Sequence, residues 1–297
     1  MKYHFIGIKG SGMSALAMIM HNLGNEVQGS DVTHHLFTED ALVANNIKIL
    51  PFDEANISGD MIVVIGNGFD ETNCEVKKTL ELKVKHYTYC ELLGELVKTY
   101  NSTAICGCHG KTTTTALLSH VFDDLVGANY LIGDGTGHAS NSNEYFFLEA
   151  CEYKRHFLHY YPKHIILTNI ELDHVDYYKD LDDMKNAYEE FLRQCDSYVI
   201  ACGDDENVRS LSTDKELIYY GFNENNEWTI KNEKLDETGS SFDVYHNNNF
   251  YKTISLSVPG KHNVLNALAC VALCHSYGLD RSVISDALKK FTGAHRR

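Results

Sequence analysis

The run Gly107-Cys108-His109-Gly110-Lys111-Thr112-Thr113-Thr114-Thr115 carries the sharpest chemistry in the chain. Glycines let a backbone wrap closely around an anion, and the free N–H groups at a helix start point toward it. In such a loop a lysine reaches the outer phosphate oxygens and the next hydroxyl coordinates Mg²⁺. Lys111 and Thr112 occupy those two places. The strict spacing G-x-x-x-x-G-K-[ST] is not met, because Ile105 stands where its first glycine would. The competing reading is a chance Gly-Lys-Thr in a surface loop. The flanks oppose it: a strand-like Thr103–Cys106 precedes the run and a helical period over Lys111–Phe122 follows it.

A second glycine run, Gly7-Ile8-Lys9-Gly10-Ser11-Gly12-Met13-Ser14, closes the first apolar strand and opens a helix. Its spacing is G-x-x-G-x-G rather than the dinucleotide pattern G-x-G-x-x-G, which weighs against NAD. A tight strand-to-helix turn without a ligand is the plain reading. Ser11 at the helix start, and Gly29-Ser30-Asp31 at the next strand's end, favour a nucleotide, since an acid near that place meets a ribose hydroxyl.

Two further segments end strands in the same way. Glu149 follows Tyr145–Leu148, and Asp173 with His174 follows His164–Leu167. Open α/β sheets place ligands beyond strand C-termini, so Glu149, Asp173 and His174 are expected to converge on one metal ion. Taken singly, each carboxylate also reads as a helix cap or surface charge, and His174 as a hydrogen-bonded structural histidine. Asn263 and Asn266 begin a late apolar helix. Asn263 serves as its cap or, with Asn266 three residues on, reads a nucleobase edge. Arg296 and Arg297 read as a basic tail or as phosphate contacts. Cys106, Cys108 and His109 lack a second ligand pair at zinc-site spacing, and backbone function ranks above thiolate ligation there.

The elements needed to position these residues are legible. The chain has 297 residues, 43% hydrophobic and 23% charged, which suggests two domains with real cores. Lysine and arginine total 26 against 41 acids, a net charge of −15, which argues against nucleic acid and anionic membrane as partners. The nine scattered cysteines read as reduced thiols of a cytoplasmic protein. No signal peptide and no apolar run long enough to span a membrane is visible. Short β-branched runs alternate with helical periods, so the expected class is α/β: a Rossmann-like parallel-sheet domain, 1–99, then a P-loop-type α/β domain, 100–297. Glu227–Ser257, with Asn-rich turns, reads as a small antiparallel sheet added to the second domain.

The ordered set of motifs resembles the Mur ligases. It comprises Gly7 to Ser14, Gln28-Gly29-Ser30-Asp31, Gly107 to Thr115, Leu131 to Gly137, Glu149-Ala150-Cys151-Glu152-Tyr153, Thr168 to His174, Gly203-Asp204-Asp205 and Gly260 to Ala269. Each motif alone is modest; their order and spacing over the whole chain are specific. The resemblance implies an ATP-dependent ligase of peptidoglycan precursor synthesis, joining L-alanine to the carboxylate of UDP-N-acetylmuramate through an acyl phosphate. The UDP part would lie at Gly10, Ser11, Gly12, Met13, Ser14, Ser30 and Asp31, beside Asn67 and Gly68. MgATP would lie at Gly107, Cys108, His109, Gly110, Lys111, Thr112 and Thr113, with His262, Asn263 and Asn266 near adenine and Arg297 at phosphate. Thr112, Glu149 and His174 would hold Mg²⁺; Lys111, His109, Glu149 and His174 would form the catalytic set. His109 and Asp173 to Tyr177 would face the muramyl carboxylate. In the family a third domain, carrying the amino-acid site, follows a Phe-x-Gly-x-x-Arg-Arg motif. Here that motif ends on Arg297, so the expectation is of the first two domains. Alternatives are a ligase that reattaches recycled muramyl peptide, and a non-catalytic sensor of UDP-sugar or ATP. A folate ligase would lack the first glycine turn, and a GTPase would need an Asn-Lys-x-Asp that is not seen.

Overall fold

A computed structural model describes residues 1–294. The chain begins β1 (Lys2–Ile6), α1 (Ser11–Asn22), β2 (Glu26–Ser30), α2 (Glu39–Ala44), β3 (Lys48–Leu50), β4 (Ile62–Ile65), α3 (Cys74–Glu81), β5 (His86–Thr88) and α4 (Tyr89–Thr99). The five strands are all parallel, in the order β3-β2-β1-β4-β5. Their residues alternate between two buried faces: Phe5 and Val64 join a core with α1 and α4, whereas Ile6 and Val63 pack on Ile57, Met61 and Val76.

The second half runs β6 (Asn101–Cys106), α5 (Lys111–Leu125), β7 (Ala128–Leu131), β8 (Gly137–His138), β9 (Tyr145–Glu149), β10 (His164–Leu167), α6 (Leu181–Arg193), β11 (Tyr198–Cys202), α7 (Glu206–Arg209) and β12 (Glu216–Gly221). It ends with β13 (Trp228–Leu235), β14 (Ser240–His246), β15 (Asn249–Leu256), α8 (Lys261–Ser276) and α9 (Arg281–Lys290). These ten strands form one mixed sheet, β15-β14-β13-β12-β11-β10-β6-β9-β7-β8. The Asn-rich segment is antiparallel as expected, and β13 joins the larger sheet by a short parallel pairing with β12. α8 is apolar on almost every side, and it is buried with α5 and α9 against Ile105, Phe147 and Ile166. The opposite faces of the same strands, through Cys106, Leu148 and Leu167, share one continuous core with Phe5 of β1, Leu16 of α1 and Leu93 of α4. No helix among the described residues is long and apolar enough to cross a membrane.

Seven elements escape the sequence periodicity: α3, β5, β7, β8, α7 and the 3-10 segments Glu54–Asn56 and Tyr153–His159. They are short, and α3 depends on a local device, the Asn73 side chain accepting from the N–H groups of Glu75 and Val76. Asn263 does not cap α8; Gly260 does, and the Asn263 amide donates back to the Pro259 carbonyl at 2.7 Å.

Candidate active site

The Gly107–Lys111 loop joins the C-terminal end of β6 to α5, as the anion-binding reading requires. Gly107 has φ +126°, and a Cβ there would lie 2.2 Å from Thr168 Oγ1 and 2.9 Å from the Asn169 carbonyl. Both reasons restrict the position to glycine. The segment after β10 clasps the loop. Thr168 Oγ1 donates to the His109 carbonyl at 2.6 Å, the Asn169 side chain exchanges two 2.9 Å hydrogen bonds with the His109 backbone, and the Cys108 N–H donates to the Asn169 carbonyl. Cys108 is bound to the Glu171 backbone, and burial pushes its thiol pKa up to about 11, so it is no thiolate at neutral pH. The His109 ring is exposed, 3.6 Å from Glu171.

Beneath the loop the Lys111 ammonium donates to both oxygens of Glu152, at 2.9 and 3.0 Å, and to the Gly107 carbonyl at 2.5 Å. Burial alone would pull the Lys111 pKa down; the Glu152 carboxylate more than offsets it, and the net direction is up. Thr112 Oγ1 donates to Glu149 Oε2 at 2.9 Å, and the Gly133 N–H donates to the same oxygen at 3.0 Å. A carboxylate beside a hydroxyl at the mouth of a phosphate loop suits Mg²⁺, which takes oxygen ligands and shares them with substrate phosphates.

Two of the three residues expected to share a metal ion, Asp173 and His174, gather beside a further carboxylate, Glu152. His174 lies 3.5 Å from Glu152 and 4.0 Å from Asp173, and these three ligating groups fall within 4.8 Å of one another. Glu149 lies beside Thr112. Glu149 closes β9, whereas Glu152, beyond two residues in neither strand nor helix, precedes the 3-10 segment Tyr153–His159 and lies against Lys111. Glu152 received no role from sequence reasoning, although it ends the quoted Glu-Ala-Cys-Glu run.

A cleft of about 680 Å³ opens beside the loop, between Gly110, Thr113, Thr168, His262, Asn263 and Asn266. The residues assigned to adenine thus share one cleft with the phosphate loop. Asn266 is nearly buried, and a Cβ on Gly110, at φ +84°, would lie 2.7 Å from its Oδ1. Arg297 lies outside the described residues.

The first glycine turn is built around its backbone. The Gly7 and Ile8 N–H groups donate to the Ser30 carbonyl, and the Lys9 N–H donates to Asp31 Oδ2 at 2.7 Å. Lys9 turns inward, to the Val32 and His34 carbonyls and Glu39, and locks the following loop rather than facing a ligand. Ser30 also differs from expectation. It is fully buried and donates its hydroxyl to Glu75, whose carboxylate further accepts from the Asp53 N–H at 3.1 Å and the Asn56 amide at 2.7 Å and meets His4 at 3.2 Å. Gly10, Ser11, Gly12, Met13 and Ser14 remain at the α1 N-terminus, with Gly66 against Met13; Asn67 is 3.4 Å from His156, and Gly68 is open. Gly10 is extended, and a Cβ there meets nothing closer than 3.5 Å. Gly10→Ala is therefore expected to fold normally and to weaken UDP-sugar binding about tenfold by calorimetry. Unchanged affinity would reduce this segment to a turn. Gly12→Val is a poorer probe, since a Cβ at Gly12 would already lie 2.8 Å from the Tyr89 ring.

The segment Gly133–Gly137 touches both turns. Gly133 bonds Glu149, Gly135 lies against Thr38 and Ser14, and a Cβ on Gly137 would sit 2.1 Å from the Ala15 carbonyl. The carboxylate beside the phosphate loop and the start of α1 are thus spanned by five residues.

Comparison with known proteins fits this geometry. The family description "Mur ligase family, catalytic domain" matches residues 2–101, and "Mur ligase middle domain" matches residues 105–274. The chain belongs to the Mur ligase family, whose members are ATP-dependent amide ligases. Among solved structures it is similar to the UDP-N-acetylmuramate–alanine ligase MurC of Thermotoga maritima, with 28% identity and a TM-score of 0.86 over 100% of this chain and 70% of that one. It is also similar to the UDP-N-acetylmuramate:L-alanyl-γ-D-glutamyl-meso-diaminopimelate ligase of Neisseria meningitides, with 25% identity and a TM-score of 0.86 over 98% of both chains. A murein peptide ligase of Psychrobacter arcticus gives 25% and 0.84, over 100% of this chain and 69% of that one.

Proposed function

We propose that this chain binds UDP-N-acetylmuramate at the α1 turn and MgATP at the Gly107–Thr113 loop, and serves the joining of L-alanine to the muramyl carboxylate. The observation that carries the reading is the meeting of Lys111, Thr112 and Glu149 at the phosphate loop, bridged by Gly133–Gly137 to the first turn. A carboxylate acylates an amine only once its oxygen becomes a good leaving group. Its oxygen attacks the γ-phosphorus, the bond to the β–γ bridging oxygen breaks, and ADP leaves. The amine then attacks the acyl carbon, loses a proton, and expels inorganic phosphate. Two anions meet in the first step, and the Lys111 ammonium offsets part of their repulsion at the γ-phosphate. Thr112 and Glu149, with His174 of the expected set, would hold Mg²⁺, which when bound would further neutralise the phosphate oxygens. The loop backbone, fixed by Thr168 and Asn169, orients the phosphate chain.

A second reading, attachment of a recycled muramyl peptide, is supported by the likeness to the Neisseria ligase, which equals the likeness to MurC in TM-score. Both readings share the two nucleotide sites and differ in the amine. The test is calorimetric titration of UDP-N-acetylmuramate with and without a MgATP analogue, then phosphate release with L-alanine or with L-alanyl-γ-D-glutamyl-meso-diaminopimelate. Release with L-alanine supports the first reading and release with the peptide alone supports the second. Binding of both nucleotides without release is the signature of a binding unit. Binding of neither overturns the site assignment.

A further inference from the structure

Glu152 has no part in the chemistry above, yet it is nearly sealed from solvent, with its side chain 1% exposed, and both its oxygens are on Lys111. Its placement is built. Tyr178, itself buried, donates its hydroxyl to the Glu152 backbone carbonyl at 2.5 Å, and His174 Nε2 stands 3.5 Å from Oε1. The ammonium that should meet a γ-phosphate is therefore already neutralised, by a carboxylate held from two sides and by the Gly107 carbonyl. A lysine ammonium has three protons to give. Here all are spoken for within the protein.

We infer that Glu152 is a displaceable counter-ion for the loop lysine: it holds Lys111 retracted while the loop is free of nucleotide, yields it to the outer phosphates of ATP, and takes it back as they leave. The inference rests on the reading that a triphosphate occupies the Gly107–Thr113 loop. Its chemistry is exchange of one anion for another on a single cation, with no covalent step. A buried carboxylate is a poor place to leave a charge without a partner, so parting the pair sets a cost on nucleotide entry. The cost falls on ligands whose phosphates reach Lys111 and spares those that end at the α-phosphate. His174 and Asp173 stand close enough to take up hydrogen bonding or a cation beside Glu152 once the ammonium has moved. Glu152 is on this account a positioning residue that acts through Lys111.

The test compares Glu152→Gln and Glu152→Asp with the unaltered protein, by calorimetry with Mg–AMP-PNP and with AMP, after circular dichroism and thermal melts confirm folding. Gln keeps the shape and removes the charge; Asp keeps the charge and withdraws it by one methylene. Both are expected to bind AMP-PNP about threefold or more tightly, because the competing anion is removed or moved back, and to leave AMP affinity unchanged. A purely structural role predicts lower melting temperatures with equal or weaker AMP-PNP binding, which would overturn the inference. Tightening by Gln without tightening by Asp would also overturn it, since simple repulsion between carboxylate and phosphate would then suffice. Should Asp fail to fold, the Gln arm still decides: AMP-PNP affinity at or below that of the unaltered protein overturns the exchange. If the unaltered protein binds no AMP-PNP, the loop reading fails first. If it binds AMP-PNP and neither variant tightens, only the counter-ion inference fails.

Discussion

Lys111→Met is expected to lose both nucleotide binding and stability, for separable reasons. The ammonium supplies a charge-assisted contact to phosphate, and its removal should weaken Mg–AMP-PNP binding by about 10- to 100-fold. Any turnover should fall further, by roughly 10²- to 10³-fold, because charge on the transferring phosphoryl group goes unopposed. The same change leaves the Glu152 carboxylate buried beside an apolar side chain. Breaking one side of a buried ion pair costs about 3–5 kcal/mol, or about 10 °C of melting temperature in a protein of this size. Loss of ATP binding in the single variant is thus ambiguous. The double variant Lys111→Met with Glu152→Gln separates the effects. It removes both charges while nearly keeping volume, so the melting temperature should return most of the way, while AMP-PNP binding stays weak. Thermal melts without nucleotide and calorimetry with it read the two halves. A double variant that binds AMP-PNP like the unaltered protein would remove Lys111 from the phosphate site.

What the sequence could convey depended on the range over which each signal acts. The phosphate loop was legible because its glycines, lysine and threonine are contiguous and lie between a strand and a helix whose periods are plain. Most strands of the large sheet were legible for a similar reason: strands buried on both faces, such as His164–Leu167 and Tyr198–Cys202, are short continuous apolar runs. The carboxylate beside His174, Glu152, was not legible. Which acid faces His174 depends on how the chain turns after β9, and there Lys154 and Arg155 adopt left-handed φ of +51° and +57°, as His174 does at +52°. Nothing in those residue types announces that conformation. The role of Ser30 was hidden for another reason. Its neighbour Glu75 is 45 positions away on a helix of eight residues, too short to display a period and too polar to look buried. Buried polar hubs are long-range by nature, and a single sequence records only their members.

That hub supports the other large expectation. Glu75→Ala should destabilise the protein by about 4 kcal/mol, since the His4 ring, the Ser30 hydroxyl, the Asn56 amide and the Asp53 N–H all lose their acceptor in a sealed site. Its acid response follows from the direction of the carboxyl pKa. Burial pushes that pKa up, but the hydrogen bonds from His4, Ser30, Asn56 and the Asp53 backbone outweigh it, and the net direction is down. A carboxyl with a folded pKa below its unfolded value of about 4.3 lends stability that is fully present above that pH and is lost as pH falls through the folded pKa. Melting temperatures taken from pH 7 to pH 3 should therefore fall more steeply below about pH 4.3 in the unaltered protein than in Glu75→Gln, where the amide does not titrate. Other carboxyls held low, such as Glu39, Glu91 and Asp60, are common to both proteins and cancel in the difference. Parallel acid limbs would mean that Glu75 is not the ionised centre of the hub. The hub also tethers the corner on which the first glycine turn rests, because the Ser30 carbonyl receives the Gly7 and Ile8 N–H groups. Loosening that corner should weaken UDP-sugar binding in Glu75→Gln and leave AMP-PNP binding unchanged, since the phosphate loop is held by Thr168 and Asn169 of the other sheet. Equal losses for both ligands would instead point to general destabilisation, and the corner would then have no particular hold on the first site.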